Sequence, residues 1–142
     1  MSSLFTEADL IHVYTRADAI RDGVLVELEP ELCHEAGFRC PVDVTASVWG
    51  IIEPNEQERG DGQDLTGRTW DVLNLARFTL RRATPFETYE PPIAVRFPCA
   101  FWMKRPEYRA GRRGQVTLTL KAVLGADFDG SPCITVMLPD ED

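Results

Sequence analysis

Residues 66–83, TGRTWDVLNLARFTLRRA, constrain the fold of this chain more than any other stretch. At 100° per residue, Thr69, Val72, Leu73, Ala76, Leu80 and Ala83 fall on one face, which predicts the main helix with one stripe in a core. Leu75 and Phe78 fall on roughly the opposite face, beside Asp71 and Arg82. A helix of a small domain needs a single buried stripe. The second apolar pair must therefore meet another part of the fold or a partner. Burial within the chain is the first expectation and contact with a partner the second.

A helix with one buried face needs something to lie on, and the last third of the sequence supplies it. In QVTLTLKAVL (115–124), Val116, Leu118, Leu120, Ala122 and Leu124 alternate with Thr117, Thr119 and Lys121. This two-residue period predicts a half-buried antiparallel strand. CITVML (133–138) follows GADFDGSP, whose Asp-Gly suits a hairpin turn, so the two runs pair. IAVRF (93–97) and CAFWMK (99–104) flank Pro98, which suits an edge strand or a bulge. The C-terminal part is thus expected to be an antiparallel β-meander carrying the helix.

The N-terminal half is written in short units. LIHVY (10–14) predicts a strand. Thr15 then caps a short helix, with Asp18 as its acidic partner three residues on, and Gly23 stops it before the strand VLVEL (24–28). Arg16, Arg21 and Asp22 have no structural task in this pattern. PELCHEAG (30–37) repeats the device with Pro30 in the first turn and Gly37 at the end. PVDV (41–44) is extended, and TASVWGIIE (45–53) is helical between the Thr45 cap and Pro54. Residues 54–65 are expected to be a mobile polar surface loop. The fold class is α+β: short N-terminal helix-strand units, then one main helix (about 66–83) packed on a C-terminal antiparallel meander. The 142 residues make one domain, 1–142, with a basic loop at about 103–115 and an acidic tail at 139–142.

Several phrases in this order, YTRADAIRDGVLVEL, EAGFRCPVDVTASVW, DLTGRTWDVLNLAR and LKAVLGADFDGSPCITVMLPDED, resemble a widespread family of small bacterial, plasmid and phage proteins of unknown function. The resemblance covers nearly the whole chain apart from about 85–110. It implies no catalytic residues. It implies a mobile-element setting, in which small proteins act on host or defence proteins.

Charge is distributed unevenly. Residues 1–65 hold 14 acidic and 4 basic side chains, whereas 66–142 hold 9 and 11. The overall charge of -8 argues against general nucleic-acid binding and for solubility. The basic segment MKRPEYRAGRRGQ (103–115) gathers Lys104, Arg105, Arg109, Arg112 and Arg113 around Tyr108, with Trp102 just before. Three roles fit it: a solvated hairpin loop, docking on the acidic half within the chain or between two copies, and a phosphate-backbone contact with aromatics for stacking. The acidic residues Glu27, Glu29, Glu31 and Glu35 form a face that fits a basic partner surface.

Chemistry is harder to place. Cys33, His34 and Cys40 lack the paired knuckles of structural zinc, so Cys33 and Cys40 are expected to be small interior thiols and His34 a surface side chain. A Cys–His dyad such as His12 with Cys99 depends on the fold. Asp61, Asp64 and Asp71, or DFDG (127–130), lack the ordered spacing of a calcium loop. GDGQDLTG follows no strand and precedes no Lys, unlike a phosphate loop. No apolar run approaches the ~20 residues that span a bilayer, and the start, with Glu7 and Asp9, lacks a secretory n-region. A cytoplasmic chain with reduced cysteines and no cofactor or metal is expected.

The sequence thus favours a non-enzymatic protein-interaction module, an inhibitor or accessory factor of a mobile element. It would act through Leu75, Phe78, Trp102, Arg105, Tyr108, Arg109, Arg112 and Arg113, with a protein partner or a second copy. The alternative is a nucleic-acid-binding module using the 103–115 loop with Arg77, Arg81 and Arg82.

Overall fold

The computed structural model describes residues 14–83 and 93–142. The expected strand at 10–14 lies outside them except for Tyr14, as does His12. The fold is α+β. In chain order the elements are α1 (Arg16–Arg21), β1 (Leu25–Glu27), α2 (Pro30–Glu35), β2 (Val42–Thr45), α3 (Ala46–Ile52), α4 (Glu56–Gly60), α5 (Leu65–Ala83), β3 (Ile93–Trp102), β4 (Gln115–Ala126) and β5 (Pro132–Met137). One 3-10 turn, Arg112–Gly114, leads into β4.

Local signals set the short elements. The Thr15 hydroxyl accepts from the Asp18 N–H, and the Thr15 N–H donates to the Asp18 carboxylate, each at 3.1 Å. That is the capping box expected at the start of α1. Gly23, just past α1, adopts φ +77°, where a side chain would be strained. Pro30 opens α2, and Thr45 caps α3 by accepting from the Val48 N–H. α3 ends at Ile52, two residues before Pro54.

The strands make one sheet in the order β1-β2-β5-β4-β3. β3, β4 and β5 form the expected antiparallel meander, with Cys99 opposite Leu118 and Leu124 opposite Ile134. The N-terminal strands extend this same sheet. β2 joins β5 in parallel, Val42 opposite Ile134, and β1 pairs antiparallel with β2. The whole sheet is therefore mixed, and both halves of the chain share one core. Pro98 sits in edge strand β3, opposite Thr119. The Met103 N–H donates to the Gly114 carbonyl, so odd-numbered positions bond to β4 and even-numbered ones face the free edge. Pro98 thus removes a donor from the free edge without breaking the ladder.

α3 and α5 cover one face of the sheet, and Arg16 of α1 reaches Asp43 on the other. α5 packs on β3, and α3 packs on β2 and β5. Thr69, Val72, Leu73, Ala76 and Leu80 are buried as the helical period predicts, while Ala83 at the helix end is exposed. They meet Phe97, Cys99, Phe101, Leu120, Ala122, Ile134 and Val136 from the sheet. Each large apolar side chain buried here contributes about 1.5–3 kcal/mol. No described helix is long and apolar enough to cross a membrane.

Residues 54–65 depart from the expected mobile loop. Pro54 is buried, and 56–60 form helix α4. Asn55 and Glu58 close a second capping box: the Asn55 side chain accepts from the Glu58 N–H at 2.8 Å, and Glu58 accepts from the Asn55 N–H at 3.0 Å. The polar composition concealed a helix start.

Candidate interaction surface

Much of the charge that the sequence offers for binding is engaged inside the fold. Glu58 is fully buried, and its carboxylate lies 3.3 Å from the Arg68 guanidinium and 3.1 Å from that of Arg105. It also accepts from the Lys104 N–H at 2.8 Å. Burial alone would raise this carboxyl. Hydrogen bonds from Arg105, Asn55 and Lys104, with the charge of Arg68, outweigh burial and hold it down at about 2. Arg68 is 3% exposed; it donates to the Ile51 carbonyl at 3.1 Å and also to the Trp102 carbonyl. Arg105 donates to the carbonyls of Gly50, Ile51 and Glu53, so it caps the carbonyl end of α3. Together these groups tie α3, α4, α5 and the 103–115 loop into one unit. Arg105 and Glu58 therefore carry structure, and Arg105 offers little to a partner.

Asp43 forms a second such centre. It is fully buried in β2 and takes a two-pronged contact from Arg16 of α1, at 2.5 and 2.8 Å. Arg16 also lies 3.5 Å from Glu27 and 3.9 Å from Asp127 of the β4–β5 turn. The hydrogen bond to Asp43 and these carboxylates raise the Arg16 guanidinium above its ordinary value despite burial. Arg16 thus has the structural task that its sequence context does not reveal. Arg21 pairs with Asp18 and Asp22, and the Tyr14 hydroxyl donates to Asp22. The acidic tail also folds back: Glu141 accepts from the Thr45 hydroxyl and from the Leu138 N–H.

The cysteines are poor nucleophiles. Burial pushes Cys33 up to about 11 and Cys99 up to about 12, and it raises Cys40 and Cys133 as well. A hollow of about 260 Å³ is lined by Glu27, Cys33, His34 and Cys40, so the structure does bring the Cys-His-Cys residues together. Among the described residues, however, no group of three or more His, Cys, Asp or Glu is placed to hold a metal ion. His34 is exposed.

The basic loop divides in the same way. Lys104 pairs with Asp61 at 3.2 Å and stands 5.1 Å over the Trp102 ring. The Asn55 side chain donates to the Lys104 carbonyl. Trp102 lies over Gly114, where an added Cβ would sit 2.7 Å from its ring nitrogen. Tyr108 is half-buried against the core. Arg109 and Arg113 remain exposed, Arg113 has φ +62°, and the side chain of Arg112 lies outside the described ones. The docking of basic loop on acidic half thus occurs within the chain, through Lys104 and Arg105. Glu27, Glu29, Glu31 and Glu35 are all exposed along β1 and α2.

The outer face of α5 is different. Phe78 is 60% exposed and Leu75 36%, so the expected burial within the chain is not found among the described residues. Arg82 stands 5.5 Å over the Phe78 ring. Asn74, Arg77, Phe78, Arg81 and Arg82 line an open hollow of about 430 Å³. Arg77 also lies against Gly37, where an added Cβ would overlap its guanidinium. None of Arg77, Arg81 and Arg82 pairs with a carboxylate among the described residues. This patch and the 103–115 loop meet α5 at different points along its axis. Arg68 meets Trp102 near the start of α5, and Phe78 lies about 15 Å further along the axis.

Sequence reasoning passed over Glu58, Arg68 and Asp43 as functional or structural centres. Asn55 and Glu58 at capping-box spacing were a usable signal, as was Asp43 between two valines. No curated protein and no solved structure matches the chain. A family model matches residues 1–142 from end to end, and the chain belongs to that family, the family of unknown function DUF6573.

Proposed function

We propose that this chain is a non-enzymatic protein-interaction module whose working surface is the outer face of α5. One observation carries it: Phe78, 60% exposed on the outer face of a well-packed helix, is ringed by three arginines without carboxylate partners among the described residues. Isolated exposed apolar groups are ordinary, but an aromatic beside Leu75 and several guanidinium groups has the composition of an interface anchor. The complementary surface is apolar at its centre and offers carboxylate or carbonyl acceptors to the guanidinium groups. An inhibitor or accessory role in a mobile-element setting is supported by the resemblance of sequence phrases alone.

A photo-crosslinking amino acid at position 78, activated in cells, tests this proposal. It is expected to yield a discrete protein adduct that the same group at Asp129 of the β4–β5 turn does not give. Equal or absent adducts at both positions would overturn it. The nucleic-acid alternative retains Arg109 and Arg113 as exposed loop cations. It requires salt-sensitive retardation of DNA or RNA at about 50 mM salt, which the interaction proposal does not expect.

A further inference from the structure

The proposed surface has an internal pattern that identifies a partner. Asp71, Leu75, Phe78 and Arg82 follow one another at spacings of four, three and four residues on α5. That is the spacing of the a and d positions of a helix–helix seam. All four are exposed, on the side of the helix away from Val72, Leu73, Ala76 and Leu80. The seam has an apolar centre, one acid at its N-terminal end and one base at its C-terminal end. Neither Asp71 nor Arg82 has an ion-pair partner among the described residues.

Resting on the interaction proposal above, we infer that the partner of this surface is a second copy of the chain, its α5 laid antiparallel across a two-fold axis. In that arrangement a positions meet d positions. Leu75 of each protomer packs on Phe78 of the other, and Asp71 of each pairs with Arg82 of the other. Two identical ion pairs close the ends of a four-residue apolar centre. The interface is isologous, as a two-fold requires. Asn74 comes opposite Arg81, which places a carbonyl acceptor against a guanidinium donor. The parallel alternative sets Asp71 on Asp71 and Arg82 on Arg82, and like charges oppose it. Charge order along the helix therefore selects both the partner and its direction. A seam of about three turns is small for a protein interface, so the association is weak and lies in the micromolar range.

Sedimentation equilibrium over about 5–500 µM protein reads this association directly. The wild-type chain is expected to move from one-chain to two-chain mass. Asp71→Arg and Arg82→Asp each place like charges across the seam and are expected to remain monomeric throughout. An equimolar mixture of the two is expected to recover the two-chain mass, because each end of the mixed seam again holds one acid and one base. The double variant, Asp71→Arg with Arg82→Asp, is expected to self-associate as the wild type does. Thermal unfolding of each variant, expected to match the wild type, confirms that the exposed substitutions leave the fold intact. A wild-type chain that stays monomeric, single variants that associate unchanged, or a mixture that stays monomeric would each overturn the pairing. Failure here is distinguishable from failure of the interaction proposal: a monomeric chain whose position-78 adduct contains a different protein removes the two-fold pair and leaves the surface standing.

Discussion

Arg68 and Arg82 lie about four turns apart on the same helix, and they live in opposite worlds. Arg68 is buried beside Glu58, with the carbonyls of Ile51 and Trp102 taking its protons. Arg82 is exposed and lies over a ring that is itself exposed. The first arginine joins parts of one chain, and the second meets only an exposed ring among the described residues. Residue type and net charge do not separate them; the partners do. A buried charge is tolerated only when paired and hydrogen-bonded, so Arg68 required Glu58 and α4 to exist. Arg82 has no carboxylate partner among the described residues, and its side chain is exposed.

The largest way to break this contrast is Glu58→Gln. It leaves Arg68 and Arg105 without their shared anion and is expected to lose about 3–5 kcal/mol, or roughly 10 °C or more in Tm, by thermal unfolding. Acid makes the same change reversibly. The Glu58 carboxyl is depressed in the fold, to about 2 from 4.5, so its contribution is complete above about 4.5 and is lost as pH falls through the folded value. That loss amounts to about 3 kcal/mol. Unfolding measured between pH 5 and 2 should show it in the wild type, and a smaller dependence in Glu58→Gln. Next comes Arg105→Ala, expected to lose about 2–3 kcal/mol by exposing Glu58 and uncapping α3, against a change within about 0.5 kcal/mol for Arg109→Ala in the same loop. Smallest in stability is Phe78→Ser, within about 0.5 kcal/mol, with complete loss of two-chain mass in sedimentation.

Periodic and local features were legible in the sequence. The inward stripe of α5, the alternation in β4, the Asp-Gly turn, and the caps at Thr15, Pro30 and Thr45 all report on neighbours along the chain or one turn away. The parallel join of β2 to β5 was not legible, because Val42 and Ile134 are brought together by the tertiary fold and neither segment signals the other. The same holds for Arg16 and Asp43, 27 residues apart, and for Arg105 and Glu58, 47 apart. A buried ion pair leaves no periodic trace, and each half reads as an ordinary surface charge. The missed helix α4 is a different failure. Asn55 and Glu58 did carry a local signal, but composition outweighed spacing. Of the candidate surface, Leu75 and Phe78 were legible because an apolar pair on the outer face of an amphipathic helix breaks its pattern.

The central claim is that α5 is divided between a face that holds the fold together and a face that the described fold leaves exposed. Thermal unfolding of Arg68→Ala beside Arg82→Ala, at dilute protein concentration, tests it with one residue type on one helix. The predicted result is a loss of about 2–4 kcal/mol for Arg68→Ala, which leaves part of a buried carboxylate unpaired. For Arg82→Ala the predicted change stays within about 0.5 kcal/mol. Equal losses at the two positions would contradict the account, because Arg82 would then belong to the fold as Arg68 does.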